Sequence, residues 1–351
     1  MAARRKIEEL TYFNAICCFL VILIHVLSYS VTNCEKPSAL AAFVFVPWKT
    51  AAFAVPAFLF SGAMKMAAGF NGSPLENYGS YLLGRLKKIV LPYAFWNVIY
   101  YAVFIMIGYE SFSVTGFIRS LALGTLSAQF YYVIIVLQFY LLRPLWQIMT
   151  EKIPVYIAVP FSALVTYFSM QTDTTLAHFG IEFAYSDRLF TTYLVFWTLG
   201  LYAGKNADGF TKSLENKRRW MPLALVGIGA FVFVAYVQYS RPVWLFNLTF
   251  YKMFSDVLSV FVLFALCTSI VKAKGMAADR TRHALTFVHS ASYSVYLSHC
   301  LFLTIAKKLV IDAGYTRIGI VTVSTAIVCA TVPFALYAAE AWVKKKVTKK
   351  A

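Results

Sequence analysis

The sequence predicts an all-α, polytopic integral membrane helical bundle of about ten transmembrane helices with both termini cytoplasmic, and three observations predict it. Of 351 residues 60% are hydrophobic and only 13% charged, and the mean hydropathy is +0.68, which is more apolar surface than one soluble core can hide. The apolar residues fall in runs of roughly 17 to 25, the length that crosses a bilayer as a helix. The 32 Lys and Arg, against 15 Asp and Glu, gather in alternate loops.

The first run, Leu10 to Ser30, holds His25 within it. Residues three and four apart share a helix face, so Asn14, Cys18, Val21, His25 and Ser28 form one polar stripe that should face protein and not lipid. Asn14 and His25 then stand about 16 Å apart along the axis. The second span, about Leu40 to Met64, contains Pro47 and Pro56, predicting a bent helix, and ends FLFSGAMK. A Gly, Asn and Pro loop and the basic run Arg85-Leu86-Lys87-Lys88 lead into a third span reaching about Gly108. Glu110 to Ser127 is too mixed to span and reads as a short interfacial helix. The fourth span, Gln129 to Met149, carries Gln138 near its middle, and the fifth runs from about Pro154 to Met170. The longest polar loop follows, with Asp173, His178, Glu182 and Asp187.

The sixth span, about Leu189 to Gly204, ends LGLYAGK before a basic loop, Lys205 to Arg219. The seventh reaches about Tyr239, and the eighth, about Phe246 to Val271, contains Asp256. The ninth, about Leu285 to Ala306, has His289 near its start and then Ser294, Tyr296, Ser298 and His299. The tenth, about Ile318 to Val343, ends VKKKVTKK. No repeat, low-complexity tract or soluble segment interrupts the series, so residues 1–351 read as a single transmembrane domain.

Ten spans place both termini on one side, and about 23 of the Lys and Arg then fall in inside loops and about 9 outside. That bias accounts for the net charge of +17 without a nucleic-acid partner. Glu8 and Glu9 before the first span, and no small-residue cleavage site, read as a retained helix and not a signal peptide. Five of the six cysteines lie in apolar runs and Cys34 in a loop, so neither a disulfide framework nor a metal-ligand spacing follows.

No Walker loop, nucleotide-binding glycine fingerprint, nucleophile elbow or His-x-x-His pair is present. What remains is an intramembrane histidine, either a functional base or a packing histidine bonded to a neighbouring helix. Beside it stands the Arg85, Lys87 and Lys88 cluster, suited to the phosphates of an anion such as coenzyme A or simply to marking a cytoplasmic helix end.

Together, the span-one histidine, Phe58-Leu59-Phe60-Ser61-Gly62, Arg85 through Tyr93 (RLKKIVLPY), Leu199-Gly200 and Ser294-Val295-Tyr296-Leu297-Ser298-His299 resemble, in order and over nearly the whole chain, the membrane acyltransferase-3 family. The length, the placement of Glu9, Phe130-Tyr131-Tyr132 and Val136-Leu137-Gln138-Phe139 look most like members associated with poly-N-acetylglucosamine, described as glycan O-succinyltransferases or as exporters.

The resemblance implies a multi-pass plasma-membrane enzyme that moves an acyl group from cytoplasmic acyl-CoA, acetyl-CoA or succinyl-CoA, to a hydroxyl of an exported polysaccharide, with no metal and with a glycan synthase as a partner. On this resemblance His25 is the general base or acyl relay, with Asn14 and Glu9 on its helix. Arg85, Lys87, Lys88 and Ser61 hold the donor, while Gln138, Tyr132, Tyr296 and His299 shape the substrate cavity. The family usually carries an arginine eleven residues before the histidine, where this chain has Asn14. Two rivals remain: an exporter of polysaccharide or lipid-linked sugar through the same cavity, and a sensor or scaffold that has lost catalysis.

Overall fold

The computed structural model describes residues 7–241, 243 and 247–348, and these contain helices and no strand. Phe246, expected to open the eighth span, and the basic residues Arg4, Arg5, Lys6, Lys349 and Lys350 lie outside the described residues. In chain order come α1 (Glu9–Asn33), α2 (Ala39–Ala51), α3 (Ala54–Ala67) and α4 (Tyr78–Met106). They are followed by α5 (Val114–Leu123), α6 (Tyr131–Leu141), α7 (Arg143–Lys152), α8 (Val155–Met170) and α9 (Thr172–His178). After two 3₁₀ turns come α10 (Leu194–Lys205), α11 (Ala207–Ser213), α12 (Lys217–Ser240), α13 (Thr249–Lys272), α14 (Met276–Asp312) and α15 (Ile318–Thr348).

Among the described residues seven helical stretches are long and apolar enough to cross a bilayer, and an eighth if the bent pair α6–α7 is one span. The expected fifth and sixth spans correspond to shorter helices: α8 has 16 residues and α10 has 12. The sixth run begins as a 3₁₀ turn, Phe190–Tyr193, before α10, which shortens its α-helical part. The second span is interrupted at Ala52–Phe53, just where Pro56 deprives the carbonyl four residues earlier of its donor. Within the fourth, Pro144 sits in the first turn of α7, and the two helices meet at 60° because proline can begin a helix but cannot continue one. The ninth is longer than expected: α14 has 37 residues, about 55 Å, against a hydrocarbon layer of roughly 30 Å.

The expected interfacial helix is α5, which buries none of its residues. The Ser113 hydroxyl accepts from Gly116 N at its start, and Gly124 in the left-handed region (φ 63°) closes it. It is tied to α4 by the Tyr93 hydroxyl, which donates to Leu121 O at 2.7 Å, and by Tyr101, whose oxygen accepts from Ser113 N at 2.7 Å.

The helices form two compact units. One comprises Ile7 and Pro56–Glu215. Its core is aromatic, with Trp197 stacked on Phe139 at 4.1 Å and 11° and Phe130 against Tyr100 at 4.9 Å. A Cβ on Gly200 would lie 2.3 Å from Phe60 O, and one on Gly204 2.3 Å from Met64 O. The small residues of LGLYAGK therefore let the α10 and α3 backbones touch, as glycines do between membrane helices. The polar loop after α8 is bonded internally: Ser186 donates to Asp173 at 2.5 Å, Asp187 pairs with Arg188 at 2.5 Å, and His178 Nδ1 meets Thr174 O at 2.8 Å.

The other unit comprises Glu8–Val55 and the chain from Asn216 onward. Helix α1 is its centre, packed by α2, α13, α14 and α15, with Leu10, Phe13, Ala15 and Cys17 fully buried. Asp256 is also buried, and its charge is met by Lys252 one turn earlier at 2.6 Å. Cys34 caps α1 and is buried, 3.2 Å from the Tyr239 hydroxyl. Cys34 lies in the turn after α1, as expected, and the Leu27, Val31, Phe45 and Phe231 cluster buries its thiol there.

Candidate active site

Helix α1 and the middle of α14 bring His25 beside His299, with ring centroids 5.1 Å apart and planes at 55°. The two imidazoles differ in setting. His299 is fully buried, and its Nδ1 lies 3.0 Å from Val295 O and 2.9 Å from Tyr296 O. A carbonyl only accepts, so Nδ1 carries the proton and Nε2 presents a lone pair. Cys300 Sγ sits 3.3 Å from that Nε2, and the Cys329 thiol donates to His299 O at 3.5 Å. Tyr296 stands over His299 at 6.4 Å and stacks with Tyr293 at 6.3 Å.

His25 is only half-buried, and among the described residues its ring touches His299 and takes part in no hydrogen bond. An imidazole inside a span whose nitrogens are not committed to protein hydrogen bonds is equipped to exchange a proton with a bound molecule. Asn14 and Glu9, on the same helix, are both buried, Glu9 in the first turn where the helix dipole favours a carboxylate. They lie about 16 and 24 Å from His25 along the axis, so neither shares a contact with it.

The expected donor residues lie in the other unit. Arg85, Lys87 and Lys88 are exposed and fall inside α4 and not in the loop before it, while Ser61 is buried at 1% exposure. Arg143 of α7 approaches the same aromatic side chain as Arg85. Arg85 lies 5.3 Å from the Tyr81 ring and 5.5 Å from that of Tyr140. Arg143 lies 4.6 Å from the same Tyr81 ring and 5.7 Å from Phe70. Two guanidinium groups thus share one aromatic ring, with Lys65 of α3 within electrostatic reach of Arg85. Among the described residues none of the three cations has a carboxylate partner. Arg143 is only 8% exposed, and its Nη1 is buried with no hydrogen-bond acceptor. A buried, unmatched guanidinium is costly to leave so and ready for an anion. Sequence reasoning passed over Arg143 and Lys65; the available signal was an arginine set directly before the proline that breaks an apolar span.

Two further expected cavity residues are also in this unit. Tyr132 packs on Phe58 at 6.2 Å. Gln138 spends its carboxamide on backbone: Nε2 donates to Arg188 O at 2.7 Å and Ile134 O at 3.2 Å, and Oε1 accepts from Phe190 N at 3.2 Å.

A family model described as an acyltransferase domain matches residues 7–340. The chain is similar to a Bacillus subtilis (strain 168) protein named "Putative membrane-bound acyltransferase YfiQ", at 24% identity over 326 residues that cover 88% of this chain and 84% of the relative. No solved structure matches it.

Proposed function

From the premise that this chain belongs to the acyltransferase-3 family and is a multi-pass membrane acyltransferase, we propose that it takes an acyl group, acetyl or succinyl, from cytoplasmic acyl-CoA and places it on a hydroxyl of an exported polysaccharide at the plasma membrane. His25 accepts the proton of the sugar hydroxyl as its oxygen attacks the thioester carbonyl. The tetrahedral intermediate then collapses, the carbon–sulfur bond breaks, and coenzyme A leaves as the thiol with the proton returned from the imidazolium. The observation that carries this reading is the half-buried His25, without a hydrogen bond among the described residues, held against a buried His299 whose tautomer is set by the α14 backbone. His299 and Tyr296 shape the surroundings of the base and keep its ring in place.

The donor's phosphates are read onto Arg85, Arg143 and Lys65. Among the described residues these three cations have no carboxylate partner, and guanidinium groups match phosphate oxygens two at a time. Lys87 and Lys88, exposed on the same helix, add long-range attraction for an anion carrying several charges. Asn14 leaves the polar stripe of α1 without a fixed charge, and Glu9 anchors the start of that helix. A glycan synthase supplies the acceptor.

The experiment is transfer of labelled acetyl and succinyl groups from their CoA thioesters to a defined oligosaccharide by purified protein, with CoA release followed in parallel. Acceptor-dependent CoA release that His25→Gln abolishes is the expected result, because glutamine keeps a hydrogen bond and cannot take up the proton. Binding of oligosaccharide with no thioester cleavage would overturn the assignment in favour of export.

A further inference from the structure

His299 and Cys300 are neighbours in α14, and with His25 of α1 they make a compact group of three donors. One ligand atom from each, two imidazole nitrogens and a thiol sulfur, lies within 4.8 Å of the others. We propose that His25, His299 and Cys300 form a binding site for a zinc-type divalent cation whose occupancy silences acyl transfer.

The donor set selects the metal. Two imidazoles and a thiolate suit zinc and its borderline neighbours, whereas magnesium and calcium demand oxygen and this group contains no carboxylate. Bonds of about 2.0 to 2.3 Å in a tetrahedral arrangement put donor atoms about 3.3 to 3.6 Å apart. The Cys300 Sγ to His299 Nε2 distance is already 3.3 Å. The other separations need to close by no more than about 1.5 Å, a side-chain rotation of His25.

The supporting shell is also in place. Metal-bound histidines hold their second ring N–H on a carbonyl or carboxylate, and His299 Nδ1 does so on Val295 O and Tyr296 O, leaving Nε2 aimed at the sulfur. Access is through His25, the half-buried member of the three. On coordination the thiol proton of Cys300 leaves to solvent, and three protein bonds leave the fourth position to water. Silencing follows because the metal takes the His25 lone pair that the attacking hydroxyl needs. That second half rests on the reading of His25 as base; the binding half does not.

Cobalt(II) titration of the purified full-length protein in detergent tests the site by absorption, independently of turnover. About one equivalent should bind with a thiolate-to-cobalt charge-transfer band, and zinc chloride should bleach it. Cys300→Ser should lose the band, keep metal-free acyl transfer within a few-fold of the unsubstituted protein, and need at least about tenfold more zinc for inhibition. His299→Gln should weaken the visible cobalt spectrum while leaving the thiol present. No charge-transfer band, or one that survives Cys300→Ser through another of the six cysteines, would overturn the site. Zinc binding at Cys300 with unchanged turnover would overturn the silencing. If the protein transfers no acyl group at all, the function assigned above fails and the cobalt spectrum still decides the metal site.

Discussion

Gln138 and Arg143 stand five residues apart across the bend between α6 and α7, and they are satisfied to opposite degrees. Gln138 donates and accepts with the backbone of Arg188 and Phe190, so it fixes the start of the 3₁₀ turn that leads into α10. Arg143 is more deeply buried, lies over the Tyr81 ring and near that of Phe70, and among the described residues leaves a buried N–H with no acceptor. The other unit repeats the contrast in its two histidines: His299 is bonded at Nδ1 to its own helix, and His25 has no hydrogen bond among the described residues. Polarity at membrane depth therefore does not by itself mark a working residue. What separates the two kinds is whether the fold already meets the group's hydrogen-bonding capacity.

The sharpest break of this contrast is at the histidines. His25→Gln should lower turnover by about 10² to 10⁴, the range of a positioned base, with the thermal midpoint unchanged. His299→Gln should act mainly through stability, because the bonds it gives up are internal. Turnover and melting should be measured on the same preparations; a His25→Gln protein that melts early and turns over normally per folded molecule would reverse the two roles.

Next in size is the buried guanidinium. Arg143→Met keeps the length of the side chain and removes the unmatched charge, so it should weaken acyl-CoA binding about 10- to 100-fold, the worth of one or two charge-assisted hydrogen bonds. The same change should raise, not lower, the melting temperature of donor-free protein, since an uncompensated charge leaves the interior. Unchanged donor affinity by calorimetry would return Arg143 to the structural class with Gln138.

Gln138→Leu should show the opposite pattern. Losing the amide strands the Arg188 carbonyl and the Phe190 N–H, at a cost of about 1 to 3 kcal/mol, seen as an earlier melting transition with donor affinity within about twofold. The smallest effect is expected from replacing Lys87 and Lys88 with glutamine. Both are exposed, so acyl-CoA association should slow a few-fold at low salt and recover at high salt. A loss as large as that of Arg143→Met would move the donor contacts onto the exposed face of α4.

Much of this protein was legible in its sequence because membrane solvation is written in long apolar runs. A helix that must satisfy every backbone group internally needs a contiguous stretch of hydrophobic residues, so class, the first span with His25, and the α5 interfacial helix could all be read directly. The ordered family motifs likewise pointed to acyl transfer before any contact was known. Breaks and partners were not legible in the same way. The 60° bend at Pro144 and the 3₁₀ start of α10 reduce the expected fourth and sixth spans to shorter helices, since hydropathy averages over a window in which one proline or turn is invisible. The LGLYAGK glycines read as a motif, and only the approach of α10 to the carbonyls of Phe60 and Met64 explains them. His25 could be placed on a polar face, but its pairing with a histidine 274 positions later required the packing of α1 on α14. Arg143 could be counted among the cations, yet nothing in its neighbours along the chain says that its partner is the Tyr81 ring or that its N–H is left unmet. Solvent preference is a property of each residue and survives in the sequence; satisfaction is a property of pairs, and only the tertiary structure decides which pairs exist.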